Sequence, residues 1–190
     1  MVHLQEDPRI VRTRSLIIEA FLELVQEKDF EAISVKDITE RATINRATFY
    51  RHFPDKYLLL EHILDQMMEN KGFEKLKEQP SLDEAAFRLL LDCFYKLIEA
   101  LKVAFGRNYP TVTLLMERMI KDKLITIIST FIPLEHTDQK KIVATMLVMS
   151  IHSATCYWIS GNKSIPQEKF IDTVLPFLMG AVSGISPVGK

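Results

Sequence analysis

A short basic segment near the amino terminus combines residue types that contact nucleic acids. Arg46 and Arg51 lie within a stretch from residue 46 to residue 53 that contains no acidic residue and that also holds Thr48, Tyr50 and His52. A guanidinium group can pair with a guanine edge or a phosphate, and hydroxyl and imidazole groups donate hydrogen bonds to phosphate oxygens. The segment therefore predicts a local contact with a polyanion.

The charge of the whole chain gives no such indication. The 190 residues carry 24 basic and 25 acidic side chains, a formal net charge of −1 at pH 7, whereas polyanion-binding proteins are usually basic. Residues 1–56 hold 9 basic and 10 acidic side chains, and five of the acids lie on the first predicted helix and the turn after it. Charge separated in this way suits a protein that touches phosphates with one edge only.

Two short helices joined by a tight turn would position the basic segment. Ser34 with Asp37 three residues later is a capping-box pattern for a helix over 35–42. Asn45 is a favourable N-cap for a second helix over 46–53. Helix, tight turn and helix form the helix-turn-helix pattern, in which the second helix enters the DNA major groove.

The composition favours an all-α protein, because 47% apolar residues with only 6 glycines and 8 prolines suit long regular elements. A first helix over 9–28 precedes the helix pair, and a bridging helix over 56–72 follows it. A polar segment from 72 to 80 predicts a boundary between residues 1–72 and residues 73–190. The helices expected beyond it span 81–105, 110–132, 137–160 and 166–183.

The stretch from Ser34 to Leu60 resembles the DNA-binding signature of TetR-type bacterial transcriptional regulators. Its most specific part is Thr48-Phe49-Tyr50-x-His52-Phe53-x-x-Lys56-x-x-Leu59-Leu60. With the first helix, the resemblance covers about a third of the chain, and the rest has no motif of comparable specificity. The resemblance implies a three-helix DNA-binding domain followed by a helical-bundle domain for ligand binding and dimerisation.

The resemblance also implies seven DNA-contacting positions. Those facing base edges in the major groove are Arg46, Ala47 and Thr48. Those holding the phosphate backbone are Tyr50, His52 and Lys56, with Lys36 reaching the same edge of the groove. The alternative is that Tyr50 and His52 are only structural. Arg51 lies one position off the contact face and is expected to be solvated.

Three arginines at the start of the first helix, Arg9, Arg12 and Arg14, are further phosphate candidates by charge and location alone. Two residues depart from the common pattern of the family, since Thr39 and Thr43 stand where Ala and Gly are more usual. A β-branched residue at position 43 would strain a turn that needs positive φ. We therefore expect the turn to close differently here without abolishing DNA binding.

The second domain is expected to hold an effector and to dimerise. By resemblance, a cavity would lie among the three helices from 81 to 160, lined by Phe94, Met116, Met149 and His152. The alternative is that these residues are ordinary core, since a lone histidine on an apolar helix is usually a satisfied core residue. The last two helices are very apolar for a chain end and predict a homodimer, whose two recognition helices would read a palindrome with about 34 Å between them.

The expected function is a ligand-responsive transcriptional regulator, a repressor that a small-molecule effector releases from a palindromic operator. The alternative is a helical regulator that responds to a protein coregulator. An enzyme is the third hypothesis, because His152 and Cys156 are spaced i, i+4, but the sequence offers neither an orienting third group nor an oxyanion site. We expect no enzyme activity, no cofactor and no metal. With no signal peptide and no membrane-spanning helix expected, the predicted location is the cytoplasm.

Overall fold

The computed structural model describes residues 7–161 and 163–185, and these form helices without any strand. The amino-terminal helices are α1 (Pro8–Glu27), α2 (Val35–Arg41), α3 (Arg46–His52) and α4 (Lys56–Asn70). The later helices are α5 (Glu74–Lys77), α6 (Glu84–Phe105), α7 (Tyr109–Ser129), α8 (Thr137–Ser160) and α9 (Gln167–Ser183). Two 3-10 turns, Phe30–Ala32 and Gly106–Asn108, follow α1 and α6. The all-α prediction is confirmed.

The described residues form two compact units. The first contains residues 7–67 and 99–116, and the second contains residues 68–98, 117–161 and 163–185. The segment from 99 to 116 joins the first unit, although the sequence boundary at residue 72 assigned it to the second domain. Short helix α5 lies within the segment that we expected to be a polar connection.

The predicted caps of the two short helices are present. Ser34 Oγ accepts a hydrogen bond from the Asp37 amide at 3.2 Å, and the Asp37 carboxylate accepts one from the Ser34 amide at 2.8 Å. Asn45 Oδ1 accepts from the Thr48 amide at 2.7 Å. Because each cap satisfies amides that the first helical turn cannot pair, α2 and α3 start where the sequence placed them.

The core of the first unit is built from aromatic and aliphatic side chains. Phe21 meets Phe30 edge to face with ring centroids 6.1 Å apart, and both are fully buried together with Phe49. In the second unit, Trp158 stacks on Phe170 at 4.6 Å. These contacts join helices within each unit, so burial of the rings stabilises the arrangement of the helices.

Helix α8 has a buried face and an exposed apolar face. Its exposed apolar side chains are Ile142, Met146, Met149 and Tyr157. Among the described residues, α8 alone is long and apolar enough to cross a membrane by length and composition, although we predicted no such helix. A core or interface helix of a soluble protein meets the same two criteria.

Candidate nucleic-acid interface

The turn between α2 and α3 takes the left-handed conformation that the family position requires. Thr43 has a φ of 55°, and the Ile44 amide donates to the Thr39 carbonyl at 3.0 Å. The expectation that this turn closes differently is therefore wrong: the helix ends in the usual left-handed way, and threonine bears the strain. Thr39 is buried, and its hydroxyl donates to the Lys36 carbonyl at 3.0 Å.

Helix α3 has one apolar face and one polar face. Phe49 and Phe53 are buried, which fixes the side that packs on the domain. At about 100° per residue, Ala47 and Arg51 lie opposite these rings, and both are exposed. The face that α3 presents to solvent is therefore small and basic, as a helix that enters a groove requires.

Most of the predicted contact residues of α3 reach this solvent side. Arg46 and Ala47 are exposed, Tyr50 is 54% exposed, and Thr48 and His52 are half-buried. The Tyr50 ring also meets Phe49 edge to face at 5.6 Å. Packing against Phe49 thus orients the tyrosine ring, while more than half of the residue stays exposed.

Arg51 also lies on this solvent side and is exposed, as the sequence analysis expected. Its guanidinium donates a hydrogen bond to the Thr48 hydroxyl at 3.3 Å, one helical turn back. The two side chains therefore share one polar surface in the middle of the helix. The i, i+3 spacing was visible in the sequence and could have found this pair.

The other predicted phosphate contacts lie on separate elements. Lys36 on α2 is exposed and lies 3.7 Å from Glu40, a surface pairing of low strength. Arg9 and Arg12 on the first turns of α1 are exposed, and Arg14 is half-buried. Lys36, Arg9 and Arg12 are thus exposed to solvent.

Lys56 has a different environment from the one that the resemblance implied. Its ammonium group donates to the carbonyls of Phe30, Glu31 and Ile33 at 2.9, 3.1 and 3.1 Å. It also lies 4.5 Å from the centre of the Phe30 ring, and only 13% of the side chain is exposed. The three ammonium donors are therefore occupied within the protein.

Several acids on α1 and α2 are paired with basic side chains of the same two helices or of the residue that follows α1. Arg41 forms a two-pronged ion pair with Glu27, at 2.8 and 2.6 Å, and also reaches Glu23 at 3.1 Å. The hydrogen bond from Arg41 lowers the pKa of Glu27. Lys28 lies 2.9 Å from Asp37, and bonds from Ser34 and then Lys28 hold the pKa of Asp37 well below its usual range. These pairs partly neutralise acids of α1 and α2, and α3 itself carries no acid.

The residues predicted to line an effector cavity do not share one environment. In the second unit, Phe94 is buried and its ring meets His152 at 5.8 Å. Met149 is 39% exposed on the outer face of α8. Met116 is fully buried on α7 within the first unit. The structure thus brings together Phe94 and His152 within one unit.

The His152 imidazole lies close to two polar side chains of the second unit. Its Nε2 lies 3.5 Å from the Glu117 carboxylate, which also pairs with Lys121, and 3.7 Å from Cys156 Sγ. Burial and then the charge of Lys121 lower the pKa of His152, while Glu117 opposes them. The imidazole is therefore neutral at pH 7. Among the described residues, no three His, Cys, Asp or Glu side chains are grouped as a metal site requires.

Comparisons with known proteins agree with this geometry. Residues 17–63 match the model of the family described as bacterial regulatory proteins, tetR family. YxbF of Bacillus subtilis, named an uncharacterized HTH-type transcriptional regulator, is 29% identical over 92% of this chain. FasR of Mycolicibacterium smegmatis, named an HTH-type transcriptional activator, is 22% identical over 94% of the chain. The chain spans 46% of YxbF and 86% of FasR.

Solved structures resemble the whole described fold. A putative TetR-family regulator from Syntrophomonas wolfei superimposes with a TM-score of 0.60 at 22% identity, covering 94% of this chain and 99% of that one. The left-handed turn, the capped recognition helix and the helical remainder define a helix-turn-helix protein with a helical carboxy-terminal domain. Over residues 17–63 the chain matches the tetR family of bacterial regulatory proteins, and over most of its length it is similar to TetR-type transcriptional regulators.

Proposed function

We propose that this regulator binds a palindromic operator as a homodimer, represses transcription from it, and is released by a small-molecule effector. The observation that carries the DNA-binding part is the solvent face of α3. It presents Arg46, Ala47, Tyr50 and Arg51 with no acid on the helix. Arg46 can donate two hydrogen bonds to a guanine, and the Ala47 methyl can meet the methyl of a thymine.

The contact with DNA is tested by selection from random duplexes with the purified protein, followed by titration of the enriched site. We expect a palindrome with half-sites about one helical turn apart, as two-fold symmetry requires. Arg46→Ala and Tyr50→Ala should each weaken binding to that site by about tenfold, since one good base or phosphate contact contributes about 1–3 kcal/mol. Arg118→Ala, on a side chain of α7 that is 89% exposed, is the matched control. Failure to enrich any palindrome would refute this part.

The dimer is supported by the apolar side chains that the second unit exposes. Ile142, Met146 and Tyr157 form a stripe along α8, and Phe177 is 64% exposed on α9. A Cβ atom built at Gly180, one turn beyond Phe177, meets nothing within 4 Å. Two such helices from each copy would bury the apolar stripe in a four-helix interface.

Sedimentation measures this association directly. Met146→Glu and Phe177→Glu each place a charge in the proposed interface and should shift the protein from dimer toward monomer. Val103→Glu is the control, because Val103 is an apolar residue on α6 that is 81% exposed, more than Met146 or Phe177. A wild-type protein that sediments as a monomer at micromolar concentration would refute the dimer.

The effector is proposed to be a small molecule that contacts the region of Phe94 and His152. FadR from Bacillus subtilis, which superimposes with a TM-score of 0.53 at 17% identity, was solved in complex with stearoyl-CoA. That complex supports a small molecule over the alternative, a protein coregulator. Native mass spectrometry of the protein purified from its source separates the two: a stoichiometric protein without a small molecule would favour the coregulator.

Repression is the proposed direction of regulation, and release by the effector is its proposed control. FasR is named an activator, so the opposite direction is found in one of the proteins that this chain resembles. A reporter placed behind the selected operator decides the direction, because a repressor lowers its expression and an activator raises it. As a regulator of transcription, the protein is proposed to act in the cytoplasm without enzyme activity.

A further inference from the structure

A buried asparagine joins the turn between α1 and α2 to a distant part of the chain. Asn108 is 3% exposed in the 3-10 turn between α6 and α7. Its Nδ2 donates to the carbonyls of Val25 and Lys28 at 2.6 and 2.9 Å, and its Oδ1 accepts from the Phe30 amide at 2.8 Å. The carboxamide thus pairs the end of α1 and the start of the following turn.

Lys56 holds the same turn from its other side. Its ammonium donates to the carbonyls of Phe30, Glu31 and Ile33. The Phe30 amide therefore donates to Asn108, and the Phe30 carbonyl accepts from Lys56. Lys56 is the first residue of α4 and lies four residues beyond the end of α3. The turn 29–33 is therefore fixed between two side chains, one of which adjoins the recognition helix.

The buried hydrogen bonds of Asn108 form only while the turn stays in this position. The three groups that bond to Asn108 are backbone groups. Loss of the Asn108 side chain would leave these buried donors and acceptors without hydrogen-bond partners. Helix α2 starts at Val35, two residues after the turn, and α3 packs against α2. A displacement of the turn would therefore move both helices that present the DNA-binding face.

We propose that Asn108 and Lys56 are positioning residues for DNA binding. They clamp the turn 29–33 between them and so set the orientation of α2 and α3, and neither side chain contacts DNA. Lys56 acts through carbonyls of its own chain instead of a phosphate. The inference rests on DNA binding by this family and is independent of the proposed effector.

The variants Asn108→Ala and Lys56→Met remove the two sides of the clamp, and Lys56→Met keeps the length of the side chain. The probes are a duplex of about 30 base pairs carrying the selected site and a random duplex of equal length. Binding is measured as a function of salt concentration, because each phosphate contact contributes about 0.9 to the slope of log K against log salt. A failure to select any site would count against operator binding. The salt slope of the variants would then be measured on the random duplex.

We expect both variants to bind the selected site about tenfold more weakly, as the loss of a buried hydrogen-bonded group of ordinary strength predicts, with an unchanged salt slope. The double variant should lose much less affinity than the product of the two single fold-losses, because both side chains act on one turn. Lys56→Arg keeps hydrogen-bond donors at this position and should bind the selected site like the wild type. Lys36→Met, at an exposed candidate phosphate contact, is the control that should reduce the slope by about 0.9.

Arg107→Ala is the matched control for Asn108, since Arg107 lies in the same 3-10 turn but forms an exposed ion pair with Asp29 at 3.0 Å. It should bind DNA like the wild type. Where Asn108→Ala lowers the yield of folded protein, Asn108→Ser and amide hydrogen exchange at residues 30–33 give the same test, with faster exchange expected. A reduced slope in Lys56→Met, or wild-type affinity in a folded Asn108 variant, would overturn the proposal.

Discussion

Replacing Thr43 by glycine should stabilise this protein, although glycine usually destabilises folded chains. Thr43 has a φ of 55° and an exposed side chain. For an L-residue the left-handed conformation costs roughly 1–2 kcal/mol, and glycine is free of this cost. Glycine loses roughly 0.5–1 kcal/mol more backbone entropy on folding. The difference predicts a net gain of about 0.5–1 kcal/mol for Thr43→Gly.

Thermal and urea unfolding at matched protein concentration measure this gain. For a chain of this size, 1 kcal/mol shifts the melting temperature by about 2–4 °C, so we expect a rise of about 2–3 °C. The control is Thr126→Gly, an exposed position within right-handed α7, where the same exchange should cost a few tenths of a kcal/mol. Thr43→Ala, which keeps the Cβ atom, should recover little of the gain. If Thr43→Gly destabilises as much as Thr126→Gly, the strain assigned to this turn does not exist.

Three further outcomes follow from the described contacts. Asp37→Asn should destabilise the fold by about 1 kcal/mol at pH 7 through loss of its bond with Ser34. The difference in unfolding free energy from the wild type should shrink as pH falls below about 4, because the pKa of Asp37 is lowered in the folded state. His152 also has a lowered pKa, so the stability of the wild type should fall as pH drops below about 6.5; His152→Gln should remove that part of the pH dependence in urea titrations. Arg51→Ala should change the sequence preference of the selected operator at one position per half-site, since Arg51 and Thr48 share a surface on α3, and an unchanged preference would exclude Arg51 from base contact.

Much of the helix-turn-helix segment could be predicted from residues close together in the sequence. The capping residues Ser34 and Asn45 act on amides within three positions along the chain, so their effect can be read without tertiary information. The bounds of α2 and α3 agree with the predicted ones to within a residue for that reason. The alternation of buried Phe49 and Phe53 with exposed side chains likewise follows from helical spacing alone.

The neighbourhoods of individual side chains required the tertiary structure. The sequence placed Lys56 beside a phosphate, but the fold brings three carbonyls from residues 23 to 26 positions away to its ammonium group. Asn108 carried no signal in the sequence, because the groups that it pairs lie 78 to 83 positions earlier in the chain. Thr43 shows the same dependence, since the packing of α2 and α3 imposes a conformation that its residue type disfavours.

The sequence by itself determined the class of protein, the helical architecture and the face of α3 that meets solvent. These depend on periodicity, caps and a short motif, each of which acts over one or two helical turns. Only the tertiary structure decided which polar side chains are exposed and which are hydrogen-bonded within the chain. Hydrogen-bonding groups are satisfied by whatever the fold brings within about 3 Å, and a linear pattern does not contain that distance.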